Sequence, residues 1–230
     1  MHICGLEKMS LVDFDGLVAS TIFTGGCNFK CGFCHNSALV LNGETLPSIP
    51  EKEILSYLQK RKGIIDGLCV SGGEPTLQKD LPLFLEKVKK IGLKIKLDTN
   101  GTSPASIMTF NENGLVDYFA MDIKNDKENY AKIIGFDKFD TKKVEKSVEY
   151  FLSGKAKYEF RTTIIKEYHD EGNINKIGEW IKGADKYFLQ KFRASETCIC
   201  SDLNEINEEQ AKHFVEILTP LVKKVSLRGY

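Results

Sequence analysis

No stretch of this 230-residue chain reaches the roughly 18 apolar residues that a membrane-crossing helix needs, so such a helix is excluded. The opening MHICGLEKMSLVDFDG lacks a basic region followed by an apolar one, and a secretory signal is not expected there. An excess of charge is lacking too. The 32 Lys and Arg balance 32 Asp and Glu, which argues against a nucleic-acid partner held by phosphate neutralisation. No Pro/Gly/Ser-rich linker divides the sequence, so residues 1–230 read as a single domain, and 42% hydrophobic residues suffice for a sizeable core. These absences lead to the expectation of a cytoplasmic globular protein with no membrane partner.

What is present is alternation. β-rich apolar runs at 17–26, 64–73, 93–101, 116–124, 156–166 and 186–193 take turns with amphipathic stretches at 50–63, 79–92, 140–154, 173–183 and 207–221. A short helix is expected near 103–114, and 223–229 could add one further strand. About six β-α units of this kind imply a parallel sheet with helices outside and right-handed crossovers. A full eight-unit barrel needs about 250 residues. The expectation is therefore an α/β fold, an open partial (β/α)6 TIM-like barrel with parallel strands. Residues 125–139 and 194–206 read as irregular surface loops. Cys27, Gly72, Asp98, Asp122 and Arg161 fall at or just past the C-terminal ends of predicted strands, the edge where parallel α/β folds bind ligands.

Seven cysteines, at 4, 27, 31, 34, 69, 198 and 200, are an odd number in a chain expected to be cytoplasmic, where structural disulfides are rare. Cys27, Cys31 and Cys34 form C-x3-C-x2-C within TGGCNFKCGFCHN, and thiolates so close read as metal or redox chemistry. A structural zinc site closes with four ligands, but no second cysteine pair lies near. Cys198 and Cys200 form only C-x-C, too short for most relaxed disulfides, and His35 follows Cys34 too directly to complete a tetrahedron. Cys69 sits in an apolar run and reads as a buried thiol. Three thiolates on an iron–sulfur cubane leave one iron open to a ligand, whereas electron-transfer clusters use four cysteines. Zinc-module and electron-carrier readings stay open at this point.

CNFKCGFC resembles the signature of the radical S-adenosylmethionine (radical SAM) enzymes, with Phe33 as the aromatic before the third cysteine. The resemblance implies a 4Fe-4S cluster on Cys27, Cys31 and Cys34, in a cluster loop at 27–36. S-adenosylmethionine would bind its open iron, and reductive cleavage would give a 5′-deoxyadenosyl radical. No catalytic side chain is implied beyond the cluster and cofactor. SGGEP at 71–75 resembles the family's GGE motif, implying that Gly72, Gly73 and Glu74 meet the cofactor amine through backbone that glycine allows to approach closely.

LDTNG at 97–101, MDIK at 121–124 and CHN after the third cysteine are similar to the glycyl-radical-enzyme activases. By that resemblance Asp98, Thr99, Asn100 and Asp122 help hold the cofactor, with a monovalent cation as an implied companion. Lys124 reaches its ribose or carboxylate, and Arg161 lies near that carboxylate. An Asx-turn at Asp98 and a strand-end ion pair at Arg161 are the purely structural readings. The opening SLVDFDGLVASTIFTGGCNFKCGFCHNSALV and the closing VSLRGY are most similar to anaerobic ribonucleoside-triphosphate reductase activating proteins. That implies abstraction of a glycine Cα hydrogen from a glycyl radical enzyme, and a flavodoxin or ferredoxin-type electron donor. The rival within the superfamily is an enzyme acting on a small molecule, such as a deazapurine synthase.

Overall fold

A computed structural model describes residues 1–230. Its strands are β1 (Ile3–Ser10), β2 (Ala19–Thr24), β3 (Gly67–Gly72), β4 (Lys94–Thr99), β5 (Tyr118–Asp122), β6 (Tyr158–Ile164), β7 (Tyr187–Lys191) and β8 (Val225–Arg228). They stand in chain order in one eight-stranded sheet that is not closed. The helices are α1 (Ser37–Leu41), α2 (Glu51–Lys60), α3 (Leu81–Ile91), α4 (Pro104–Glu112), α5 (Tyr130–Ile133), α6 (Lys142–Leu152), α7 (Glu171–Trp180) and α8 (Glu208–Leu218). The expected α/β alternation is present, and the sheet is open as expected.

Two compact units make up the chain. The first comprises residues 1–28, 38–99 and 103–119. Here β2, β3 and β4 are parallel and in register, Ala19 opposite Gly67 and Gly67 opposite Lys94. Their apolar residues alternate with helix faces from α2 and α3, and Ile22, Leu68, Val70, Ile54, Leu58, Phe84 and Leu97 are wholly buried. Pro82 suits the first turn of α3, which ends on Gly92 in the left-handed conformation at φ 96°.

The second unit comprises residues 29–37, 100–102 and 120–230. In it β6, β7 and β8 are parallel, Phe160 opposite Tyr187 and Tyr187 opposite Val225. Phe151, Phe160, Ile174, Ile177, Leu189, Phe214 and Leu218 are wholly buried. The start of α7 carries a reciprocal cap: the Asp170 side chain accepts the Asn173 N–H, and the Asn173 side chain accepts the Asp170 N–H.

The structure corrects three expectations. The strands are not all parallel, because β1 precedes the expected first strand and pairs with β2 antiparallel. It is an edge strand whose second half, from Glu7 to Met9, is exposed, so its sequence carries none of the apolar alternation of a buried strand. Nor is 125–139 only a surface loop. It contains α5, with Tyr130, Ile133 and Ile134 at most 1% exposed. Residues 194–206 likewise bury Leu203 and Ile206. Both stretches lack helical or strand periodicity because their apolar residues are anchors in otherwise polar chain.

Candidate functional site

Cys27 lies in the first unit, and Cys31 and Cys34 lie in the second. None of the seven cysteines forms a disulfide. Within neither unit do three His, Cys, Asp or Glu side chains converge closely enough to hold a metal ion.

In the first unit the SGGEP turn packs backbone against backbone. The Gly73 N–H donates to the Thr24 carbonyl, and the Glu74 N–H donates to the Gly26 carbonyl, both at 2.9 Å. Gly72 has φ +120°, and a Cβ there would lie 2.2 Å from the Thr24 nitrogen. A Cβ on Gly73 would lie 2.0 Å from the Gly26 oxygen and 3.3 Å from the Cys27 nitrogen. Both glycines are thus required by the segment that leads into Cys27, a reason independent of any cofactor.

Glu74, 1% exposed, accepts hydrogen bonds on one oxygen from the Thr76 N–H, the Thr76 hydroxyl and the Thr99 hydroxyl, at 3.2, 2.6 and 2.8 Å. Glu74 and Thr99, both candidates from sequence, therefore meet. Asp98 accepts the Ser71 hydroxyl at 3.0 Å and has the buried Lys96 ammonium 3.9 Å from its other oxygen. Lys96 also donates to the Asp13 carbonyl at 2.7 Å. The motifs of the sequence do not point to Ser71 or Lys96. A lysine in the middle of a strand, as in KIKLD, was the available signal, since lysine is seldom buried without a partner.

In the second unit the candidates form a charge cluster at the end of β5. Arg161 Nε donates to Asp122 Oδ1 and Lys124 Nζ donates to Asp122 Oδ2, each at 2.8 Å. Burial alone would push the Asp122 pKa up, but the charges of Arg161 and Lys124 outweigh it and hold it at about 2. Burial would lower Lys124, yet the carboxylate beside it raises its pKa above the ordinary lysine value. The structural reading of Arg161 as an ion pair is therefore realised. The Asp122 carboxylate is thus shared by two cations. Asn100 uses its side-chain oxygen on Thr102, accepting from the N–H at 3.0 Å and the hydroxyl at 2.7 Å.

The cysteine loop of the same unit meets this cluster. Lys124 Nζ stands 5.6 Å from the centre of the Phe33 ring. The Cys34 N–H donates to the Cys31 carbonyl at 3.0 Å, closing a turn between the two thiols. Burial pushes the Cys34 thiol pKa up, opposed by the Asn36 N–H and by Lys124. His35 turns elsewhere: its Nε2 donates to the Arg193 carbonyl at 2.6 Å and its ring stacks on Phe192. The C-x-C pair packs on the same loop. The Cys200 N–H donates to the Gly32 carbonyl at 2.8 Å, and the Cys198 thiol reaches the Phe33 carbonyl at 3.7 Å. Nothing in the spacing of Cys198 and Cys200 signals that contact. Cys69 is a buried thiol, as expected.

The profile of the Radical SAM superfamily matches residues 21–174, more than half of the chain. The chain belongs to the Radical SAM superfamily. The match takes in all three cysteines of the loop and the SGGEP, LDTNG and MDIK segments. A protein of Methanocaldococcus jannaschii named for glycyl-radical enzyme activation is 32% identical over 194 residues, 83% of this chain and 79% of that protein. The 7-carboxy-7-deazaguanine synthase of Thermoplasma acidophilum is 30% identical over 112 residues, 48% of this chain and 49% of the synthase. Among solved structures, Streptococcus suis SuiB bound to S-adenosylmethionine superimposes with a TM-score of 0.71 at 15% identity. That superposition covers 90% of this chain, which spans 49% of the length of SuiB, and it shows a shared fold. The chain is thus a radical SAM enzyme, a family that implies a 4Fe-4S cluster and S-adenosylmethionine.

Proposed function

We propose that this radical SAM enzyme is an activating enzyme that removes a Cα hydrogen from a glycine of a partner enzyme. The observation that carries the reading is the extent of the 32% identity. It runs through 83% of this chain and 79% of the relative named for glycyl-radical enzyme activation. The likeness to the deazaguanine synthase spans about half of either protein.

The donor chemistry of the chain fits the implied group. Cys27, Cys31 and Cys34 supply three soft ligands, none of them in a disulfide. When bound, the cluster and S-adenosylmethionine supply a one-electron cleavage that yields an organic radical able to take a hydrogen atom.

The chain's own groups then bind and orient. Lys124 and Arg161, both paired with Asp122, attract the cofactor's carboxylate, and the Phe33 ring beneath the lysine confines that end. Gly72 and Gly73 admit main chain where a Cβ would collide, and Glu74 fixes the turn through Thr76 and Thr99. In the first unit Asp98 and Thr99, and in the second Asn100 and Asp122, offer further oxygens to the cofactor, and their hardness suits a monovalent cation. In the finer reading the partner is an anaerobic ribonucleoside-triphosphate reductase, the electron donor is of the flavodoxin or ferredoxin type, and the setting is the cytoplasm. No helix is long and apolar enough to cross a membrane.

The test is electron paramagnetic resonance on the anaerobically reconstituted, reduced protein mixed with S-adenosylmethionine and the anaerobic ribonucleotide reductase of the same organism. The expected result is a glycyl-radical doublet that disappears when the partner's glycine becomes alanine. A radical on a different glycyl radical enzyme would correct the partner alone. Turnover of a small molecule with no protein radical on any candidate would overturn the activating role.

A further inference from the structure

Tyr130 is wholly buried in the second unit, on the short helix α5, in a stretch to which the sequence assigned no function. Its ring belongs to an aromatic cluster. It stacks on Phe139 at 5.7 Å and meets Phe29 and Trp180 edge-on at 6.4 and 6.0 Å. Phe29 also meets Phe139 edge-on at 5.4 Å. Phe29 lies between the first two cysteines of the loop and is 2% exposed, so Tyr130 and Phe139 form the socket in which the loop is seated.

Main chain reinforces the seat. The Lys30 N–H donates to the Ile134 carbonyl at 2.9 Å. Gly135, at φ +79°, passes so close that a Cβ would lie 2.6 Å from the Lys30 oxygen. At the far end of the tyrosine, the Lys124 N–H points to the phenol oxygen at 3.5 Å, a long hydrogen bond. A wholly buried hydroxyl is costly to place without such a role. One side chain therefore touches both the cysteine loop and the backbone of the lysine that pairs with Asp122.

We propose that Tyr130 is a positioning residue that registers the cysteine loop against Lys124, its ring seating Phe29 and its hydroxyl receiving the Lys124 N–H. The proposal rests on the radical SAM reading of Cys31, Cys34 and Lys124, and it adds what fixes their mutual geometry. Burial raises the phenol's pKa well above the ordinary tyrosine value, which keeps the hydroxyl neutral.

Two variants separate the ring from the hydroxyl. Tyr130→Phe keeps the socket. It should keep full iron and sulfide content, yet bind S-adenosylmethionine about threefold to fivefold more weakly at a temperature where variant and parent are both fully folded. The change that S-adenosylmethionine causes in the reduced cluster's paramagnetic resonance spectrum should be smaller at equal occupancy. Tyr130→Leu opens the socket, so in the metal-free protein the buried Cys31 should be alkylated by iodoacetamide faster than in the parent. Parent-like affinity and spectrum in Tyr130→Phe would overturn the proposal. So would a loss of affinity that merely tracks a lower unfolding midpoint. A parent protein that assembles no cluster, or binds no S-adenosylmethionine, would instead overturn the radical SAM site assignment on which the proposal stands.

Discussion

The SGGEP turn of the first unit and the MDIK segment of the second are both short motifs at strand ends, but different physics holds them. SGGEP is held by sterics: main chain passes main chain at distances that leave no room for a side chain at Gly72 or Gly73. MDIK is held by charge: two cations converge on the carboxylate of Asp122. A steric constraint fails abruptly, because a methyl group either fits or does not. An electrostatic one degrades in steps, because each partner contributes a share and solvent screens what remains.

Loss of a ligand should exceed both effects. Replacing Cys27, Cys31 or Cys34 with Ala is expected to abolish cluster assembly and all S-adenosylmethionine cleavage, read by iron and sulfide analysis and by 5′-deoxyadenosine formation. Full cluster content in any single variant would contradict the assignment. Cys4, Cys69, Cys198 and Cys200 should each tolerate Ala with the cluster retained.

Next in size is Gly73→Val. If the glycine served only to admit the cofactor, the variant would keep its cluster and lose affinity alone. The close approach to Gly26 and Cys27 instead leads us to expect both losses together, with destabilisation of about 3 kcal/mol or more from overpacking. Urea unfolding and iron content measured on the same preparation distinguish the two outcomes.

Asp122→Asn should be milder, since the carboxylate is about a quarter exposed. Two cations left facing a neutral amide should cost about 2 kcal/mol, below the range for a fully buried pair. The loss should shrink at high salt, which the Gly73→Val defect should not do.

The last effect is a slope with pH. His169 is 2% exposed. It accepts the Ile165 N–H on Nδ1 and donates from Nε2 to the Lys124 carbonyl, each at 3.0 Å, so the neutral ring satisfies both contacts. Burial lowers its pKa from 6.5 to about 4. Below pH 6.5 the unfolded chain takes up a proton that the folded chain refuses, so stability falls as pH drops from 6.5 to about 4, by an amount on the order of 2–3 kcal/mol. Asp122 has the opposite charge but the same acid sensitivity at lower pH. Its contribution is complete above 3.8 and is lost as pH falls through about 2. Unfolding of the metal-free protein followed against pH should show both windows, and His169→Gln should flatten only the upper one.

Much of the fold was legible because it is written in periodicity. KDLPLFLEKVKKIG shows an apolar helix face and its glycine stop, and α3 spans Leu81–Ile91 within it. The sequence was silent where a residue acts through a single contact. Phe29 lies far along the chain from Tyr130 and Phe139 and shares no period with them, so their socket is not legible in the sequence. The cysteine spacing, in contrast, is local chemistry and needs no tertiary context. Glu74 and Thr99 each lie in a legible motif, while their hydrogen bond to each other is a tertiary fact. β1 is not legible in the sequence because a half-exposed strand is free to carry Glu7 and Lys8.

That edge strand has a consequence for assembly. An uncovered strand offers its free carbonyls and N–H groups to any similar chain, the starting point of runaway sheet growth. On β1 two carbonyls are already engaged outside its pairing with β2. Ile3 accepts the Ile49 N–H at 2.7 Å, and Lys8 accepts the Tyr57 hydroxyl at 2.7 Å. A second chain zipping along this margin would have to displace both bonds, at about 1–3 kcal/mol together, and would bring its own Glu7 and Lys8 into the seam. The margin of the sheet thus carries its own stop against polymerisation.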